Sequence, residues 1–126
     1  MDAPVIATAD DAAKLLRPRF DALAGERIVV LHLGADRGLL GTSEYPGSID
    51  QADLPLRAII GAALERDARG MIVAHNHPSG AARPSEEDVA ATALLVRIAK
   101  ALDIRVYDHL IFAGDSWASF RGLGLL

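Results

Sequence analysis

The sequence predicts an α/β fold, a mixed central sheet flanked by helices, and three observations carry that expectation. Helical and strand periodicities follow one another as helix, strand, strand, helix, strand, helix, strand, strand, an order that layers helices around one sheet. The run Arg27 to Leu33, "RIVVLHL", is apolar on both faces, as a strand covered on both sides must be. At 126 residues and 51% apolar composition, the chain has material for one core and is too short for two.

Each element has a local reason. Thr8 followed by Asp10 and Asp11 offers a helix start, and Ala12, Leu15, Leu16, Phe20 and Leu23 recur at helical spacing. A helix is therefore expected over about 9–24, interrupted near Pro18, with Lys14, Arg17 and Arg19 on its solvated face. After the first strand, Gly34 to Gly38 reads as a hairpin turn and Leu39 to Tyr45 as the returning strand, broken by Pro46-Gly47. A second helix is expected from about Leu54 to Arg69, with Asp53 as cap, Pro55 in its first turn and Gly70 as its stop. Gly70 to Ala74 returns to strand. Ser85 to Ala101 reads as a long helix with Val89, Ala93, Val96 and Ala99 on one stripe. Ile104 to Phe112 and Ser116 to Phe120 close the chain as strands around Ala113-Gly114-Asp115, with Trp117 and Phe120 in the core.

Bulk properties exclude several functions. The net charge is -4, and the thirteen Lys and Arg are scattered, so charge gives no footprint for a nucleic acid. With no cysteine, disulfides, thiolate nucleophiles and Cys-type zinc fingers are out. The N-terminus lacks the pattern of a signal peptide, and no apolar run approaches the roughly 20 residues of a membrane span. The expectation is a cytoplasmic protein with no membrane partner and an open oligomeric state.

Chemistry concentrates in "AHNHPSGAARPSEED". Residues two apart on a strand share a face, so His75 and His77 point together while Asn76 points away. Ser85 followed by Asp88 brings a carboxylate onto the first turn of the next helix. Two imidazoles and one carboxylate make a three-ligand zinc site with its fourth position open. Taken alone, Ser85-x-x-Asp88 also fits a helix capping box. The letters "HNH" are no evidence for an HNH nuclease, whose residues are spread over a ββα-metal motif. His32, on an apolar strand, reads as a satisfied core histidine. At most one of Asp108 and His109 can face the zinc, in a supporting role. Ser79 and Gly80 either line a cleft or make the turn.

The run His75-x-His77-Pro, with Ser85-x-x-Asp88 downstream, resembles the JAMM motif of JAB1/MPN zinc metalloproteases. "AHNHPSG", "PSEED" and "DHLIF" make it most similar to the RadC-like branch, over roughly residues 26–126. The resemblance implies a JAB1/MPN-like α/β fold with cytidine-deaminase-like layering, one domain over 1–126, and one zinc per chain held by His75, His77 and Asp88. It further implies Ser85 as partner to the developing oxyanion and an upstream glutamate as general base. Glu44 is the acid placed for that, with Asp36 and Asp50 less well placed. The implied activity is zinc-dependent hydrolysis of a peptide or isopeptide bond in a protein substrate. The branch also carries a DNA-repair label, so the alternatives are a catalytically silent binding scaffold, or a repair and recombination accessory or nuclease.

Overall fold

The computed structural model describes residues 3–21, 25–47, 54–78 and 80–126. Among these residues eight elements follow one another: α1 (Ala9–Phe20), β1 (Arg27–Leu33), β2 (Leu39–Pro46), α2 (Leu56–Glu65), β3 (Gly70–Asn76), α3 (Glu86–Ala101), β4 (Arg105–Ala113) and β5 (Ser116–Ser119). The strands form one sheet in the order β2-β1-β3-β4-β5. Among the described residues, β3 and β4 pair in parallel, joined through α3, and the other three pairings are antiparallel. This is the mixed sheet flanked by helices that the sequence predicts.

Alternation along the strands splits the core into two layers. Val29, Leu31, Leu33, Ile72, Ala74, Leu110 and Phe112 pack with Leu16 and Phe20 of α1 on one face. Ile28, Val30, Met71, Val73 and Val106 pack with Ile59 of α2 and Leu95 and Ala99 of α3 on the other. The site described below stands at the end of β3 on the second face. Among the described residues no helix is long and apolar enough to cross a membrane.

Helix ends depart from expectation for local reasons. Thr8 caps α1 in a full capping box with Asp11, and the helix runs through Pro18 to Phe20 rather than breaking there. A proline in the last turn removes one hydrogen bond, and burial of Leu16 and Phe20 outweighs that loss. Leu23 lies outside the described residues, as do Asp50, Asp53 and Ser79. The second helix ends at Glu65, because Asp67 adopts the left-handed conformation (φ 50°) while Ala68 N–H bonds back to Ala63 O. Gly70 does not stop the helix; it opens β3, where a Cβ would collide with the Tyr107 ring.

The largest correction concerns α3. Its buried residues are Asp88, Thr92, Leu95 and Ala99, whereas Ala93 is exposed and Val89 and Val96 are only half-buried. The inward stripe thus begins with two polar side chains. Burying them demands partners, and those partners define the site.

Candidate metal centre

Strand β3 continues past Ala74, so His75 is still within the ladder, paired with Ile28 on one side and Ile111 on the other. Its ring shares a face with Met71 and Val73 and is buried under α3. Asn76 points the opposite way and ties down the start of β1, accepting from Arg27 N–H and donating to Gly25 O. His77 lies just beyond the strand, held by its N–H on Phe112 O. The chain then turns through Gly80 (φ 97°) and enters α3 at Ser85.

The capping reading and the metal reading of Ser85 and Asp88 both hold. Ser85 Oγ accepts from Asp88 N–H at 3.0 Å, and Asp88 Oδ2 accepts from Ser85 N–H at 2.9 Å. The box fixes the Asp88 carboxylate over the two rings. His77 Nε2 lies 3.2 Å from Asp88 Oδ2, and His75 Nε2 lies 3.4 Å from Oδ1. The two Nε2 atoms stand 2.9 Å apart. His75, His77 and Asp88 form a group that can hold a metal ion.

Asp88 is fully buried, and its Oδ1 has no hydrogen-bond partner. Burial works against its charge, yet when the two histidines are protonated the His75 ring, the Ser85 backbone N–H and the histidine charges outweigh that and hold the carboxyl well below its usual range. An anionic oxygen without a donor, facing two imidazole nitrogens, is a fit for a cation. Two imidazole nitrogens and a carboxylate form a donor set for a divalent transition-metal ion.

Two further residues stand behind the cluster. His109 Nε2 is 2.7 Å from His75 Nδ1, and His109 Nδ1 is 2.6 Å from Thr92 Oγ1. Phe120 stacks on the His109 ring at 4.3 Å. Burial pushes the His109 pKa well below the ordinary histidine value, His75 and His77 lower it further, and Asp88 opposes them in part. Sequence reasoning gave one of Asp108 and His109 a supporting role without choosing between them, and missed Thr92. A threonine four residues after Asp88, on the same helix face, was the available signal.

Other expected residues lie elsewhere. Glu44 pairs with Val29 across the hairpin and therefore shares the α1 face, opposite His75. There it bonds Arg19 at 2.8 Å and sits 3.6 Å from Arg27. The expectation that Glu44 is the general base is corrected on that ground: a sheet separates it from the cluster. Asp36 closes the β1–β2 turn by accepting from Gly38 N–H. Asp108 faces away from the histidines and accepts from His109 N–H, Arg121 N–H and Ser119 Oγ–H. His32 is buried and no metal ligand, but it is only half satisfied: Nε2 meets Ser43 Oγ at 2.9 Å and Nδ1 has no partner. Burial, with the Arg66 charge adding to it, lowers its pKa to about 4.

The family model described as RadC-like JAB domain matches residues 6–125. The chain belongs to the RadC-like JAB domain family. Within it, the chain is 38% identical to the UPF0758 protein YkfG of Escherichia coli strain K12 over 112 residues, 88% of this chain and 71% of that protein. It is 35% identical to a UPF0758 protein of Alcanivorax borkumensis over 91% of this chain and 52% of that protein. The UPF0758 protein NMB1038 of Neisseria meningitidis serogroup B is 33% identical over 97% of this chain and 55% of its own length. The RadC-like domain described here thus spans about half the length of several curated relatives.

Proposed function

We propose that this RadC-like domain is a zinc-dependent hydrolase acting on a peptide or isopeptide bond, with His75, His77 and Asp88 as metal ligands and Ser85 as donor to the developing oxyanion. The observation that carries the reading is Asp88 Oδ1, fully buried, without a donor, and 3.4 Å from His75 Nε2. Bound zinc would supply a Lewis acid that polarises a carbonyl and acidifies water. Three protein ligands leave a coordination position for substrate chemistry. The Asp88 charge offsets part of the cation's charge, and the α3 capping box holds that carboxylate in place. Ser85 Oγ spends a lone pair on Asp88 N–H, so its own hydroxyl hydrogen is available to an oxyanion. Glu44, ion-paired on the other face, takes no part in proton transfer.

One observation favours a second reading, a zinc-holding scaffold that binds a protein partner without cleaving it. Among the described residues no second carboxylate joins the His75, His77 and Asp88 group, leaving no acid there to accept a proton in turnover. Zinc-loaded protein tested on peptide and isopeptide substrates separates the two. Zinc-dependent cleavage that falls in Ser85→Ala and survives Glu44→Gln supports the hydrolase. Stoichiometric zinc with no cleavage of any substrate supports the scaffold.

A further inference from the structure

Behind the cluster, one line of hydrogen bonds runs from His75 through His109 to Thr92 and ends on α3. Thr92 Oγ1 lies 2.7 Å from the backbone oxygen of Asp88. A carbonyl oxygen only accepts, so that contact uses the single hydroxyl hydrogen of Thr92. The 2.6 Å contact between Thr92 Oγ1 and His109 Nδ1 must then carry the hydrogen of the ring. With its hydrogen on Nδ1, a neutral His109 presents a lone pair at Nε2, and the 2.7 Å contact to His75 Nδ1 takes its hydrogen from His75. The lone pair of His75 is thereby left on Nε2, the atom that faces His77 and Asp88. His77 is set in the same sense, because its Nδ1 lies 2.9 Å from Ala81 O and must donate to it.

We propose that Thr92 and His109 are positioning residues that set the metal-ligating tautomer of His75. The donors all run one way, and the line closes on itself: it ends on the carbonyl of Asp88, the residue whose carboxylate supplies the third ligand. Phe120, stacked at 18° to the His109 ring, holds that ring in the plane the two hydrogen bonds need. A neutral His75 free of this line would populate both tautomers, and the one with hydrogen on Nε2 cannot bind metal there. The inference rests on the reading of His75 and Asp88 as metal ligands and deepens it.

The test is a long-range 1H–15N correlation spectrum of the metal-free protein at about pH 8, where ordinary histidines are neutral, with zinc affinity measured by chelator competition. Wild type and Thr92→Ser are expected to carry the His75 hydrogen on Nδ1. Thr92→Val, which keeps the shape and removes the hydroxyl, is expected to show mixed His75 tautomers and zinc binding weaker by about 10- to 100-fold, with Thr92→Ser restoring it. A wild-type spectrum with the hydrogen on His75 Nε2 overturns the inference even if Thr92→Val does not fold. One zinc per chain with equal affinity in wild type and Thr92→Val overturns it while leaving the metal centre standing. Wild type that binds no zinc overturns the metal centre and this inference together.

Discussion

The two faces of the sheet each gather acids and bases, and they treat them oppositely. On the α1 face, Glu44 is exposed and meets Arg19 at 2.8 Å, with Arg27 near. On the α3 face, Asp88 is fully buried, one of its oxygens has no donor, and its neighbours are histidines that carry charge only when protonated. An exposed ion pair is nearly neutral in energy, because water solvates both partners. A buried carboxylate without a fixed cation is costly, and the fold sustains it only where something else supplies the charge. Among the described residues, the group that can hold a cation therefore lies on the α3 face.

Mutating the two acids gives the widest contrast. Asp88→Ala is expected to lower zinc affinity by at least about 100-fold, since it removes one of the three proposed ligands. Without zinc, it should still destabilise the fold by about 1 kcal/mol, because the capping box at the start of α3 is lost. Chemical denaturation with and without chelator measures both. Adding zinc at about a hundred times the wild-type dissociation constant should stabilise wild type by roughly 2.7 kcal/mol and Asp88→Ala by no more than about 0.4 kcal/mol; thermal melts would show it.

A control within the α3 face sharpens the contrast. His32 is buried there as well, with Ser43 on its Nε2 and the Arg66 charge acting on it. Its pKa is lowered to about 4, below its unfolded value, so it is neutral in the fold while the unfolded chain takes up a proton below about pH 6.5. Stability from this group is full above that pH and is lost as pH falls towards 4, by up to roughly 3 kcal/mol. In His32→Gln that part of the acid slope should vanish, which denaturation between those pH values would record. The smallest effect is expected at Glu44: Glu44→Gln should cost between about 0 and 1 kcal/mol and leave zinc affinity unchanged.

Much of this was legible in the sequence. The order of elements, the hairpin after β1, the Thr8 cap and the meeting of His75, His77 and Asp88 follow from periodicity and turn chemistry. What was not legible depends on parity. A strand places alternate residues on opposite faces, so a shift of one residue exchanges them. The β1–β2 pairing shifts register between His32 and Leu33, and that bulge leaves Tyr45, paired with Ile28, on the face of His75 and Glu44 on the other. No composition or spacing in "GTSEYPG" announces a bulge one turn away. The α3 stripe was misjudged for a related reason: Asp88 and Thr92 count as polar, and a pattern built on apolar residues rotates away from them. In this fold the helix face that breaks the hydrophobic rule is the one that carries the site.

The most direct measurement is metal content by plasma mass spectrometry on wild type, Asp88→Ala and Glu44→Gln purified without chelator. The account predicts close to one zinc per chain in wild type and in Glu44→Gln, and little in Asp88→Ala. Wild type free of metal, or zinc lost in Glu44→Gln and kept in Asp88→Ala, would contradict it.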